Sequence, residues 1–174
     1  MNETMKNILE RRSIRKYKPD MVEKELLDQV IEAGLYAATG HGKQSSVIIA
    51  VTDKEFRHEL SEENRKIEGW KEGIDPFYGA PVVLLVIANR ESPNAVYDGA
   101  ATLTNMMLAA KALGLGSCWV HRAKQEIDSE FGKKLLSRLH ISGDYEGVGH
   151  LLLGYPDCEP PKAAKRKPDR VYYV

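Results

Sequence analysis

Cysteine is scarce in this chain: Cys118 and Cys158 are the only two among 174 residues. That is too few for a disulfide framework and too few for an all-cysteine metal site. Net charge is missing as well, with 25 Lys and Arg against 25 Asp and Glu. A protein that wraps nucleic acid through counterion release is normally basic, so that class loses weight, and no aromatic stacking platform accompanies the basic residues. There is no long hydrophobic run. The longest nearly apolar stretch, Gly79–Ala88 (GAPVVLLVIA), is about half of the roughly 20 residues a membrane-spanning helix needs, and it reads as a buried strand. The opening MNETMKNILERR lacks the apolar core of a secretory signal. The expectation is a cytoplasmic protein with reduced thiols, no membrane association and no nucleic-acid partner. Repeats, low-complexity tracts and Gly/Ser linkers are absent too, and the length predicts one domain, residues 1–174.

What is present is an ordinary globular composition, 43% hydrophobic and 29% charged, with its charges segregated. Residues 11–18 (RRSIRKYK) hold five basic and no acidic residues, and residues 162–170 (KAAKRKPDR) hold five and one, leaving 15 basic against 24 acidic elsewhere. Two positive segments therefore flank an acidic body.

Apolar spacing predicts a short first helix around Met5, Ile8 and Leu9. It then predicts an amphipathic helix from Leu26 to Ala38, closed by Thr39-Gly40-His41-Gly42. Val47–Val51 and Pro81–Ala88 read as strands, separated by a polar helix over about 53–66 and an irregular connection over 68–77. A small-residue helix over Tyr97–Leu113, a strand at Ser117–Val120, a helix over Glu126–Leu139 and a last strand at Val148–Leu153 complete the pattern. Helix and strand alternate, which indicates an α/β-type mixture whose strand directions periodicity does not fix.

Three segments carry candidate chemistry. Arg11-Arg12-Ser13-Ile14-Arg15 can gather guanidinium and hydroxyl donors around a phosphate, or it can be a solvated basic turn. Thr39-Gly40-His41-Gly42-Lys43-Gln44 allows a planar ligand close to the backbone, or it is simply a helix cap and loop. Gly114–Arg122 lacks the GxGxxG spacing and strand-before-helix order of a dinucleotide fingerprint. Cys118 reads as a buried, inert thiol. His121, His150 and the carboxylates show no metal-ligand spacing, and no nucleophile elbow is present. On residue types alone, the chain is an α/β domain with a candidate anion site.

Taken in order, these segments resemble the FMN-dependent nitroreductase family. Arg11–Arg15 is similar to its N-terminal R-x-S-x-R/K motif, and Ala38–Gln44 sits where the family has a P-S-x-x-N-x-Q-P loop. Tyr78–Val83 resembles its gAPvvi strand. Asp98 with Asn105–Ala110, followed by Gly114–Trp119, resembles its dimer-core helix and next strand. Gly154-Tyr155-Pro156 and Lys165–Pro168 resemble its closing elements. Ala38, Gly42 and Ser45 depart from the loop pattern, Ala123 stands where nitroreductases often have an acidic residue, and Lys165 is a shifted substitute for a family lysine.

The resemblance implies an α+β fold, a central mainly antiparallel sheet flanked by helices, in an intertwined homodimer with FMN at the interface and the tail 160–174 extended over the partner. It implies that Arg11, Ser13 and Arg166 hold the FMN phosphate, with Arg12 contributing through its backbone and Lys165 nearby. Arg15 falls at the N1/C2-carbonyl side of the flavin. Thr39, Gly40 and Gly42, in one loop with His41 and Gln44, pack on the ring and ribityl chain, and Val120 and His121 line the opposite edge. The implied activity is ping-pong oxidoreduction, with NADH or NADPH as donor and a nitroaromatic, quinone or similar acceptor. It needs no metal and no obligatory catalytic side chain, because the cofactor carries the chemistry. Two alternatives stay open: another flavin chemistry on the same scaffold, and a non-enzymatic, anion-binding interaction domain.

Overall fold

The computed structural model describes residues 1–174 and turns the apolar run into strand β2, Val82–Asn89, in which every residue from Val82 to Ala88 is buried. A strand covered on both faces has no polar side, which is why its sequence shows no alternation. It pairs with β1 (Ser46–Val51) on one flank and β4 (Tyr145–Gly154) on the other, and β4 pairs in turn with β3 (Gly116–Val120). The order is β1-β2-β4-β3, and every pairing is antiparallel. Mixed helix and sheet with antiparallel pairing makes this an α+β fold, in agreement with the implied architecture.

Six helices cover the sheet: α1 (Glu3–Glu10), α2 (Lys24–Leu35), α3 (Lys54–Glu68), α4 (Ala95–Ala112), α5 (Ala123–Asp128) and α6 (Glu130–Arg138). Alternate residues of β2 serve two cores. Val83, Leu85 and Ile87 pack with Leu60, Phe77, Ile127 and Leu152 on one face. Val82, Leu84 and Val86 pack with Val30, Leu103, Met106 and Leu151 on the other. Each of these side chains contributes roughly 1.5–3 kcal/mol by leaving water. No helix is long and apolar enough to cross a membrane.

Two expectations need correction. The last strand begins at Tyr145, three residues before Val148, and a bulge between Val86 and Ile87 of β2 leaves Val148 as the extra residue. Val148 lies against α4 at Gly99, where a Cβ would come within 2.5 Å of it. The expected helix over Glu126–Leu139 starts earlier, at Ala123, and breaks at Ser129. The Ser129 hydroxyl donates to Glu126 O at 2.7 Å and accepts from the N–H groups of Phe131 and Gly132, so one side chain ends α5 and caps α6. On the surface, Arg90 at the end of β2 pairs with Asp128, Asp144 and Glu146, tying α5 to both strands.

The sheet has little room for side chains at Gly147 of β4. A Cβ there would sit 2.0 Å from the Ala123 carbonyl oxygen, so α5 approaches β4 backbone to backbone. Gly147→Ala is expected to cost about 1–3 kcal/mol, the usual penalty of forcing extra volume into a packed site. Urea unfolding checks this.

Candidate functional site

Helix α1 stops at Arg11, and Arg12 closes it: its Nη1 donates to Leu9 O at 2.8 Å and to Arg11 O at 2.7 Å. The Arg12 side chain is thereby committed to carbonyls the helix end leaves open. Arg11 differs, because its Nη1 is buried and has no partner. The chain then runs beside β3. Ser13 bridges Ser117 in parallel, the Ile14 N–H donates to Ser117 O at 2.9 Å, and Tyr17 bridges Pro156. Burial pushes the Cys118 thiol above its ordinary range despite the charges of Arg15 and Arg11 and the nearby Ser13 hydroxyl. Cys118 is buried, as its sequence position suggests. Exposed Arg15 lies with its guanidinium carbon 6.0 Å from the Tyr78 ring centre.

Tyr78 owes its place to Asp75. The Asp75 carboxylate accepts from Arg57 at 2.6 Å, from the Ser61 hydroxyl at 2.7 Å, and from the N–H groups of Phe77 and Gly79 at 2.9 and 2.8 Å. Burial alone would raise this carboxyl, but the hydrogen bonds from Arg57, Ser61 and the Gly79 N–H, with the charge of Arg57, outweigh it and hold the group below its ordinary range. The connection before β2 is irregular as expected, and it is anchored at this one carboxylate.

Residues 39–44 form a tight loop around a single 3-10 turn, Gly40–Gly42. His41, Gly42 and Gln44 all have positive φ, at 55°, 65° and 49°. The Thr39 hydroxyl accepts from the Gln44 N–H at 3.1 Å. Below the loop, buried Asp98 on the first turn of α4 accepts from the Gly40 N–H at 2.9 Å and from the Ser45 hydroxyl at 2.7 Å. Gly40 is pressed against Asn94, whose amide nitrogen would be 2.2 Å from an added Cβ.

Val120 ends β3, and His121 follows it exposed; Arg122 then adopts a left-handed conformation with φ 79° and pairs with Glu68 at 2.7 Å. Beneath this turn lie three side chains that sequence reasoning missed: Asn64, Glu126 and His150, all with 0% exposure. The Asn64 amide donates to Glu126 at 2.6 Å and to His121 O at 2.9 Å. His150 Nε2 lies 2.6 Å from the other Glu126 oxygen, and its Nδ1 lies 3.4 Å from Val120 O.

The structure gathers Arg11, Arg12, Ser13 and Arg15 along β3, at whose far end stand Val120 and His121. It does not bring Thr39, Gly40, His41, Gly42 and Gln44 to them. Ser13 lies beside Ser117, in register with Leu153 and Val82, whereas the loop adjoins Asn89 at the other end of β2 and the opposite sheet edge. Seven residues of strand separate the two corners by more than about 20 Å. Lys165 and Arg166 lie on the fully exposed tail, where Arg166 bonds only to the carbonyl of Ala164.

Asp98→Ala leaves the Gly40 N–H and the Ser45 hydroxyl unpaired. It is expected to lower unfolding free energy by about 2–3 kcal/mol, the scale of hydrogen bonds to a charged acceptor. Thermal unfolding at neutral pH measures this. Asp75 has a folded-state pKa below its unfolded value, so it stabilises the fold above about pH 4 and that contribution disappears as pH falls through the folded value. The Tm difference between wild type and Asp75→Asn is expected to be constant from pH 5 to 7 and to shrink below about pH 4; scans across that range test it.

The chain matches the family model described as the nitroreductase family over residues 8–155. A protein of Archaeoglobus fulgidus, provisionally designated an NADH dehydrogenase/NAD(P)H nitroreductase, is 29% identical over 180 residues, 99% of this chain and 98% of its own. The NADPH-flavin oxidoreductase of Vibrio harveyi is 26% identical over 178 residues, 92% and 68% of the two chains. The crystal structure of a nitroreductase with bound FMN from Bacteroides fragilis superposes with a TM-score of 0.91 at 26% identity, covering 100% of both chains. With the match running from within α1 to just past the end of β4, this chain belongs to the nitroreductase family.

Proposed function

We propose that the protein is an FMN-dependent NAD(P)H oxidoreductase that reduces a small acceptor such as a nitroaromatic or quinone. The observation that carries this is Arg11: its Nη1 is buried without a partner, a donor placed for an anion that the chain itself does not supply. The Ser13 hydroxyl stands two residues on, so the pair fits a phosphate. FMN held there would supply hydride-transfer chemistry between a reduced nicotinamide and the acceptor. Arg15 would bring a positive charge to the reduced ring, Val120 and His121 would border it, and Thr39, Gly40, His41, Gly42 and Gln44 would pack against it.

Because the loop and the Arg11 segment occupy opposite corners of one sheet, a pocket using both draws them from two chains. A homodimer supplies them, with the tail 160–174 of one domain extended over the other so that Lys165 and Arg166 approach the phosphate. What supports the dimer is exposed apolar surface: Met5, Ile8 and Leu9 on α1, Leu35 and Tyr36 at the end of α2, Tyr97 on α4 and Val171–Val174 in the tail.

The purified protein is expected to show flavin absorption, or to acquire it on addition of FMN, and to oxidise NADH or NADPH in the presence of menadione. Arg11→Ala is expected to raise the FMN Kd by about 10- to 100-fold, the loss of one charge-assisted contact, measured by flavin fluorescence titration. Absence of flavin bands together with no binding of added FMN overturns the proposal.

A further inference from the structure

We propose that Asn64, Glu126 and His150 are positioning residues that fix the exit of β3 for the cofactor; the inference rests on the reading that Val120 and His121 border the flavin. The three come from α3, α5 and β4 and have no exposure to solvent. Glu126 is the hub. One of its oxygens holds the Asn64 amide and the other holds His150 Nε2, both at 2.6 Å. Each arm then ends on a backbone carbonyl: Asn64 on His121 O at 2.9 Å, and His150 Nδ1 towards Val120 O at 3.4 Å. A single carboxylate thus sets two consecutive carbonyls, and with them the orientation of the peptides that follow.

Three features separate this network from ordinary core packing. Apolar side chains would fill the space without the desolvation cost of a buried carboxylate. The carbonyls it holds belong to the turn in which Arg122 adopts φ 79°, a conformation that L side chains rarely accept without restraint from their surroundings. The His150 ring also lies 5.2 Å from that of Phe77, the residue before Tyr78, so the same network touches the loop under Arg15. A glutamine at position 126 preserves both arms, since its oxygen accepts from Asn64 and its amide donates to the Nε2 of a ring whose Nδ1–H faces Val120 O.

The test compares Asn64→Ala, Glu126→Ala and Glu126→Gln with Lys24→Ala, which removes a surface ion pair with Asp28 on α2, away from this turn. Two readouts are taken well below each unfolding midpoint: amide hydrogen exchange in the flavin-free protein, and titration with FMN. The expected result for Asn64→Ala and Glu126→Ala is faster exchange confined to residues 120–123, an FMN Kd raised about tenfold, and a shifted visible flavin spectrum. Glu126→Gln is expected to restore all three, and Lys24→Ala to leave all three unchanged. If Glu126→Ala does not fold, Asn64→Ala decides alone, because it removes one arm and leaves the Glu126–His150 pair intact. Unchanged exchange at 120–123, or unchanged Kd and spectrum despite faster exchange, overturns the proposal. A wild-type protein that binds no FMN overturns the functional reading instead, and the exchange data still decide whether the network holds the turn.

Discussion

Everything in this molecule is arranged around a strand that is dry on both faces. Seven consecutive residues of β2 leave no polar side to give to water, so both flanks need pairing strands and both faces need helices. That requirement places β1 and β4 beside it and divides the core into two apolar layers, one against α3, α5 and α6 and one against α2 and α4. It also leaves the centre of the sheet without room for chemistry. The groups that can bind or orient a ligand are pushed to the sheet's margins: the segment laid along β3, the turn at the exit of β3, and the loop that enters β1.

The margins are held by buried or half-buried carboxylates, each answering a local shortage of acceptors. Asp98 takes the Gly40 N–H and the Ser45 hydroxyl, Asp75 takes four donors around Tyr78, and Glu126 serves the turn after β3. An irregular loop has backbone donors that no ladder satisfies, and a carboxylate accepting several of them defines the loop's shape more narrowly than apolar packing does.

How much of this was legible in the chain depends on the range of the interaction. Val82–Ala88 announced itself because a buried strand needs a continuous apolar run, and the helices of apolar period came through with shifts of a few residues at their ends. The break at Ser129 was hidden because the apolar spacing continues across it while a single hydroxyl redirects the backbone. Antiparallel pairing was not readable, since periodicity records which face is buried and not which way a neighbour runs. Of the candidate site, Arg11–Arg15 and Thr39–Gln44 were visible as local clusters. Asn64, Glu126 and His150 were not, because their meeting joins residues 62 and 24 positions apart and exists only once three elements have packed.

Six residues other than glycine take positive φ, and four of them, His41, Gln44, Tyr78 and Arg122, lie in the segments that form the candidate site. A left-handed conformation costs an L residue on the order of 1–2 kcal/mol, so folding free energy is withheld from those places. Glycine would relieve each of them and make the fold more stable, at the loss of an imidazole, an amide, a phenol ring and a guanidinium where a ligand is expected to lie. The molecule's thermal headroom is therefore concentrated in the positions where using it would blunt the site, and a stabilisation programme that ranks substitutions by folding free energy alone would select those four first.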